Sequence, residues 1–202
     1  MRADADSTLA LIMNPGELPE AARQDAIQLA EVRVGLEKRI AAESAKLVTA
    51  GGVKIRHHGD YHLGQVLLKR NDFIIVDFEG EPARPLEERR TKHSPLRDVA
   101  GMFRSFTYAR QAAMRQCSVT SSEDCARWDP QVVRWEKETR ETFLRVYDEI
   151  ARAAGLYTSL EEVMPLLTLF EIEKALYELR YELRNRPDWA AIPLRSLIAF
   201  SG

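Results

Sequence analysis

The chain has 202 residues, 45% of them hydrophobic, which is enough for a substantial core and favours one domain over two. Its 29 basic and 31 acidic residues nearly cancel to a formal charge of -2, without a basic arm or stripe, so nucleic acid is not an expected partner. No stretch reaches the ~18 apolar residues of a membrane span, and no signal peptide is recognisable. With only Cys117 and Cys125, the chain lacks a disulfide framework, and we expect a cytoplasmic protein without a membrane partner.

The first half of the sequence predicts one long helix followed by a short strand-rich island. Residues 1–18 are expected to form a flexible N-terminal segment. Apolar residues at three- and four-residue spacings predict a helix over 19–48, ended by Gly51-Gly52. Residues 53–79 form the island: short strands at 53–55 and 66–68, a turn at Asn71-Asp72, and a buried strand in the continuous β-favouring run 73–76.

The second half, residues 95–202, is predicted to be helical. The charged segment 80–95 contains three prolines and reads as a loop. Helices are expected over 95–115, 130–154 and 165–186, with a polar loop at 118–124 between the first two. The pattern as a whole predicts a single, mainly α domain with a small β-hairpin.

The candidate chemistry lies in the island, which places a cluster of polar side chains at the ends of its strands: His58, Asp60, His62, Gln65, Asp77 and Glu79. Phosphoryl transfer needs an anionic residue beside the attacking hydroxyl and oxygen ligands for magnesium. A hairpin that brings Asp60 and Gln65 beside Asp77 would supply these groups. Taken singly, each residue is ordinary turn chemistry. A catalytic loop, a short hairpin and Asp-Phe-Glu in this order match the protein-kinase scheme.

The helix predicted over 165–186 has two faces. Its core stripe is formed by Leu169, Ile172, Leu176, Leu179 and Leu183. The opposite stripe contains Lys174, Tyr177, Tyr181 and Arg184, which would suit the wall of a carbohydrate cleft because sugar C–H faces pack on aromatic rings. The alternative is that the tyrosines merely cover a second helix.

Several long strings are similar to the maltokinase family, whose members are often fused to trehalose synthase: His58–Leu67, Asp77–Pro82, Arg97–Met102, Lys174–Glu182 and Asn185–Trp189. The resemblance covers most of residues 30–200. It implies the C-terminal lobe of a protein-kinase-like (aminoglycoside-phosphotransferase-like) fold. The implied reaction transfers the γ-phosphate of ATP, with Mg²⁺, to maltose and yields maltose 1-phosphate.

The resemblance also implies a role for each site residue. Asp60 would be the catalytic carboxylate, and the magnesium ligands would be Gln65, Asp77 and Glu79. Maltose would be bound by His62, Lys174, Tyr177, Tyr181 and Glu182. His58 and Asp98 would support the catalytic loop, Asp98 through backbone hydrogen bonds.

A complete kinase also needs an N-terminal lobe with strands over the nucleotide, a phosphate-binding lysine and often a glycine-rich loop. The ~57 residues before the loop predict helix instead, so we expect this ATP lobe to be absent and the chain by itself to have little activity. Expected protein partners are the missing lobe or trehalose synthase. Two other functions stay open: a non-catalytic maltose- or glucan-binding remnant, and a metal-dependent hydrolase with His58, Asp60, His62 and Asp77 as ligands.

Overall fold

The computed structural model describes residues 7–8, 10–12, 18–47, 53–82, 84–120 and 122–202. The chain divides into two compact units, of which the first comprises Met1–Ala50 and Thr168–Gly202 and the second comprises Gly51–Leu167. Most of the N-terminal segment 1–18, which was predicted to be flexible, lies outside the described residues. The same holds for Gly51-Gly52, where the first helix was predicted to end. The kinase-lobe fold and the single-domain organisation stay predictions. Among the described helices, none combines the length and apolarity that crossing a membrane requires.

The first unit is built from helices. Helix α1 runs over Glu20–Lys46. The helix numbered α5 in chain order spans Leu160–Asn185 and contributes its residues from Thr168 onwards to this unit. A 3₁₀ turn over Pro187–Trp189 leads into the last helix, α6, at Ala191–Ala199.

Leucines form the centre of this unit. Leu29 and Leu36 of α1, Leu176 and Leu179 of α5, and Leu194 of α6 belong to one apolar cluster and are at most 1% exposed. Burying one such side chain stabilises a fold by about 2 kcal/mol. As the three- and four-residue spacing of apolar residues predicts, one apolar stripe of α1 and one of α5 lie in a common core.

The second unit contains the strand-rich island and the remaining helices. Strands β1 (Val66–Lys69) and β2 (Asp72–Ile75) form an antiparallel hairpin. A short helix α2 (Leu86–Arg90) is followed by the long helices α3 (Leu96–Thr120) and α4 (Ser122–Ala153), which pack against each other.

The hairpin turns through Arg70 and Asn71, whose φ angles of 50° and 65° are both positive. Two central residues of this kind match the type I′ turn, whose twist fits that of the strands it joins. The turn sets the register, in which Val66 pairs with Ile75 and Lys69 pairs with Asp72. Gln65 and Asp77 consequently flank the open end of the hairpin.

The prediction that residues 73–76 form a buried strand was wrong about burial. The side chain of Phe73 is 69% exposed, and those of Ile74 and Ile75 are 41% exposed. The reason is that the sheet has only two strands, and apolar side chains project from it without a covering layer among the described residues. A continuous apolar run indicates that a strand needs cover, but it does not say what provides the cover.

Several boundary predictions were also wrong. Helix α5 begins at Leu160 and not near Pro165, and the predicted loop 80–95 contains the short helix α2. Segment 118–124, predicted as a loop, belongs to α3 and α4 apart from residue 121, which lies outside the described residues. Pro130 lies inside α4 instead of starting it, on an exposed stretch where water can bind the carbonyl that loses its helical donor. Of the strand predicted at 53–55, only an isolated bridge between Ile55 and His93 is present.

A tight backbone contact in the first unit gives a testable prediction. A Cβ atom added at Gly35 of α1 would lie 2.4 Å from the carbonyl oxygen of Ser201. An exposed Gly→Ala change in a helix normally stabilises by about 1 kcal/mol. We expect Gly35→Ala to destabilise the chain instead, by about 1–3 kcal/mol, because two backbones must separate.

Urea unfolding measures this change, and Val34→Ala, at the neighbouring position where Val34 is 58% exposed, is the control that should leave stability almost unchanged. A stabilised Gly35→Ala variant would show that the contact between α1 and the C-terminal segment is not present in solution.

Candidate active site

The loop that carries the candidate catalytic residues is held by one carboxylate on α3. Asp98 lies in the first turn of this helix, and its two oxygens accept hydrogen bonds from the backbone N–H groups of His58 (2.7 Å) and Gly59 (2.9 Å). Hydrogen bonds to a charged acceptor are roughly twice as strong as neutral ones. Asp98 therefore fixes the path of the loop immediately before Asp60.

The same face of α3 holds the loop at two further points. The backbone of Tyr61 approaches Gly101 so closely that a Cβ atom there would lie 2.7 Å from the Tyr61 carbonyl oxygen. One turn further on, the hydroxyl of Ser105 accepts a hydrogen bond of 2.9 Å from the backbone N–H of Leu63. Positions 98, 101 and 105 recur at spacings of three and four, which places them on one side of a helix.

His58 links the loop to the end of the hairpin. Its ring is 6% exposed and lies between the rings of Tyr61 and Phe78, with centroid distances of 5.5 Å and 4.9 Å. Nδ1 accepts a hydrogen bond from the backbone N–H of Asp60, so the proton lies on Nε2, which donates to the carbonyl of Val76 at 2.8 Å. With both ring nitrogens engaged, His58 supports the loop and has no nitrogen left for a metal.

Asp77 follows Val76 directly and has a φ angle of 65°, an unusual backbone conformation for a residue other than glycine. Its Oδ2 accepts a hydrogen bond of 2.9 Å from Nε2 of Gln65. The backbone N–H of Val76 also donates to the carbonyl of Gln65, which closes the open end of the hairpin. The structure thus brings together two of the three predicted magnesium ligands.

Two glycines allow the catalytic loop and the Asp-Phe-Glu segment to touch. Gly59 and Gly80 have φ angles of 87° and 78°, and a Cβ atom on Gly59 would lie 3.2 Å from the Cα of Gly80. Side chains on both residues would strain the turns and crowd this contact. The sequence motifs at 58–60 and 77–80 are therefore adjacent in space.

Asp60 and His62 point to the same neighbourhood. His62 Nε2 lies 3.9 Å from Asp60 Oδ2, and both side chains are partly accessible to solvent. Nδ1 of His62 accepts a hydrogen bond from the N–H of Gly64, which orients the imidazole. A carboxylate beside an oriented imidazole can accept a proton and bind a hydroxyl group.

Glu79, the third predicted magnesium ligand, lies apart from this pair. It lines a cavity together with Arg56, Arg89 and Arg90, and its carbonyl accepts a hydrogen bond from Arg89. Among the described residues, no three His, Cys, Asp or Glu side chains are grouped so that they could hold a metal ion. A bound Mg²⁺ would depend on Gln65 and Asp77, whose oxygen atoms are the ligand type it prefers.

Four of the five predicted sugar-binding residues belong to the first unit, whereas His62 belongs to the second. Lys174 lies with its Nζ 5.1 Å from the ring centre of Tyr177, and Tyr181 is 45% exposed. Glu182 is 1% exposed, and both of its carboxylate oxygens accept hydrogen bonds from Arg186. The structure therefore places Glu182 in the interior, where it orients Arg186.

Arg186 and Trp189 also belong to this cluster, and the sequence analysis did not assign them to it. The guanidinium of Arg186 lies 5.5 Å from the ring centre of Tyr181 and 5.4 Å from that of Trp189. The i, i+4 spacing of Glu182 and Arg186 was a usable signal, as was the 98, 101, 105 spacing on α3. Only the structure shows that the ring of Trp189, which follows the end of α5, lies against the guanidinium of Arg186.

Two curated proteins to which the chain is similar are glucosamine kinases. The chain is 31% identical over 150 residues to the enzyme of Mycolicibacterium smegmatis, with 74% of this chain and 35% of the relative covered. It is 29% identical over 202 residues to the enzyme of Streptacidiphilus jiangxiensis, with 98% and 40% covered. The chain thus spans well under half the length of these relatives. No protein-family model matches it.

Solved structures of glucosamine kinase are similar to the whole chain. One, in complex with glucosamine, ADP and inorganic phosphate, has a TM-score of 0.69 and 25% identity, covering 98% of this chain and 45% of its own. Another crystal form has a TM-score of 0.70 and 26% identity, with 98% and 44% covered. These relatives indicate a sugar kinase family. The finer maltokinase assignment does not follow from them.

The bonds made by Asp98 give the second testable prediction. Asp98→Asn keeps the size of the side chain but replaces one accepting oxygen with an NH₂ group and removes the charge. We expect a loss of about 1–3 kcal/mol in the free energy of unfolding, because a backbone donor of the loop loses its charged acceptor.

Chemical denaturation measures the effect. The charge-matched control is Asp129→Asn, because Asp129 is exposed on α4. Equal stability of both variants would mean that Asp98 does not hold the loop.

Proposed function

We propose that this chain is the catalytic and sugar-binding lobe of an ATP-dependent sugar kinase. The observation that carries the proposal is the hydrogen-bonded pair Gln65–Asp77 at the foot of a hairpin, beside a loop that Asp98 holds immediately before Asp60. An oxygen-rich pair next to a separate carboxylate is the minimum that phosphoryl transfer to a hydroxyl requires.

In this mechanism, Asp60 accepts a hydrogen bond from the sugar hydroxyl and orients its oxygen towards the γ-phosphorus of ATP. The new P–O bond forms as the bond to the leaving ADP oxygen breaks, and the hydroxyl proton passes to the Asp60 carboxylate. Gln65 and Asp77 would hold Mg²⁺, which neutralises charge on the triphosphate when it is bound. Their mutual hydrogen bond keeps the two side chains in place before any ligand arrives.

Glucosamine is the first acceptor to consider, because two relatives and a solved structure to which the chain is similar are glucosamine kinases. Maltose is the second, because the strings around Asp60, Asp77 and Trp189 are similar to maltokinase. The chemistry is the same in both cases: a sugar hydroxyl attacks ATP, and a sugar phosphate and ADP are formed. A binding remnant would retain the sugar contacts without this transfer.

Sugar contact is proposed for the exposed rings of the first unit. Tyr181 and Trp189 both lie against the guanidinium of Arg186, which Glu182 orients from below. Rings held in this way lose little freedom when a sugar packs on them. Tyr181 is 45% exposed, and its ring can pack against the apolar C–H side of a pyranose.

The exposed hairpin supports the further proposal that another part of a longer kinase covers it. Leu68 and Phe73 are opposite each other in the register and are both 69% exposed. Paired large apolar side chains at this exposure favour a partner surface. Since the chain spans 35–40% of its curated relatives' length, we propose that a nucleotide-binding lobe covers this face.

The role of Asp60 is tested by Asp60→Asn. An amide cannot take the proton from the hydroxyl, so once the proposed nucleotide-binding lobe is supplied we expect ADP release with Mg²⁺, ATP and glucosamine to fall at least about 100-fold. A coupled ADP assay measures it, and Asp72→Asn at the hairpin turn is the control with the same loss of charge. If Asp60→Asn retained full turnover, Asp60 would not be the catalytic carboxylate.

The sugar-binding role of Tyr181 is tested by calorimetric titration with glucosamine and with maltose. We expect Tyr181→Ala to weaken binding about tenfold, whereas Tyr181→Phe, which keeps the ring, stays within about threefold of the original chain. This titration does not require ATP, so it can be read in a chain with low turnover. Unchanged affinity in Tyr181→Ala would remove this residue from the site.

A further inference from the structure

A cavity of about 330 Å³ lies beside the Asp-Phe-Glu segment, and nothing in the mechanism above uses it. Its charged lining includes Arg56, Arg89 and Arg90, and its apolar lining includes Phe78 and Leu86. Neither Asp60 nor Asp77 lines it. The volume is at the small end of the range for pockets that bind small molecules.

Positive charge exceeds negative charge in this cavity. Its lining contains three arginines and one acidic residue, Glu79. Within the described part of the chain, neither Arg56 nor Arg90 forms an ion pair, and both are exposed. The Nε of Arg89 is shielded from solvent and has no hydrogen-bond partner among the described residues. A shielded, unsatisfied donor costs stability unless a ligand satisfies it.

The surroundings of His57, another lining residue, support a positive potential. Burial lowers the pKa of His57, Asp98 opposes the shift, and the nearby guanidinium groups of Arg97 and Arg84 lower it further. A protonated imidazole is disfavoured there mainly by burial, and the two guanidinium groups add to this effect.

We propose that this cavity binds a small phosphorylated molecule. Arg56, Arg89 and Arg90 take the phosphoryl group, because guanidinium donors match its oxygens in charge and geometry. The body of the molecule lies against Phe78 and Leu86, which are 57% and 50% exposed.

Arg89 connects this cavity to the candidate active site. Its NH1 donates to the carbonyl of Glu79, and its aliphatic chain packs on Gly80, which touches Gly59 of the catalytic loop. A ligand that binds the Arg89 guanidinium therefore also affects the position of the turn that follows Asp77. The site is a place for regulation of the turn, separate from the transfer of phosphate.

The test is calorimetric titration of the full chain with glucose 6-phosphate, inorganic phosphate and glucose. We expect saturable binding of glucose 6-phosphate, and about tenfold weaker binding in Arg56→Gln and in Arg90→Gln, because each loses one charged contact. These residues are chosen because both are exposed and, unlike Arg89, neither contacts the Glu79 carbonyl. Arg145→Gln, exposed on α4, is the charge-matched control.

Tyr181→Ala separates this site from the proposed sugar site, and its affinity for glucose 6-phosphate should equal that of the original chain. The proposal is overturned if glucose 6-phosphate does not bind saturably, or if Arg56→Gln and Arg90→Gln bind it as tightly as the original chain does. Equally tight binding of inorganic phosphate overturns the role given to Phe78 and Leu86. Binding of glucose comparable to that of the ester overturns the role of the arginines.

Discussion

The candidate site depends on the carboxylate of Asp98, which accepts the backbone N–H groups of His58 and Gly59. Because His58 then donates from its ring to the carbonyl of Val76, the same bonds also locate the end of β2. Asp77 follows at once and meets Gln65 across the hairpin. One half-buried carboxylate on α3 thus organises a loop and a hairpin that neither local propensity nor a large apolar core would hold together.

The hairpin next to the candidate site presents an apolar surface to solvent. The hairpin has two strands and large exposed side chains, of which Leu68 and Phe73 are the most exposed. A sheet of this size gains little stability by itself. The chain spans 35–40% of the length of the glucosamine kinases it resembles. We propose that another part of a longer protein covers the hairpin and binds the nucleotide.

How much the sequence could predict differs between parts of the molecule. The spacing of Gln65 and Asp77 around a short hairpin was enough to expect them near each other, because antiparallel pairing brings the two ends of a hairpin together. The observed register places Gln65 opposite Val76, the neighbour of Asp77. Periodicity located the stripes of α1 and α5. It could not tell that Pro130 lies within α4, because an exposed helix tolerates a lost hydrogen bond. Nor could it show that β2 is exposed or that Gly101 admits Tyr61, since both depend on what packs alongside.

Product analysis by ³¹P NMR tests the central claim most directly. When the proposed nucleotide-binding lobe is supplied together with Mg²⁺, ATP and either glucosamine or maltose, we expect a sugar phosphate resonance that grows with ADP and is lost in Asp60→Asn. A chain that released inorganic phosphate alone, with no phosphorylated sugar, would be transferring to water. That result would contradict a sugar kinase.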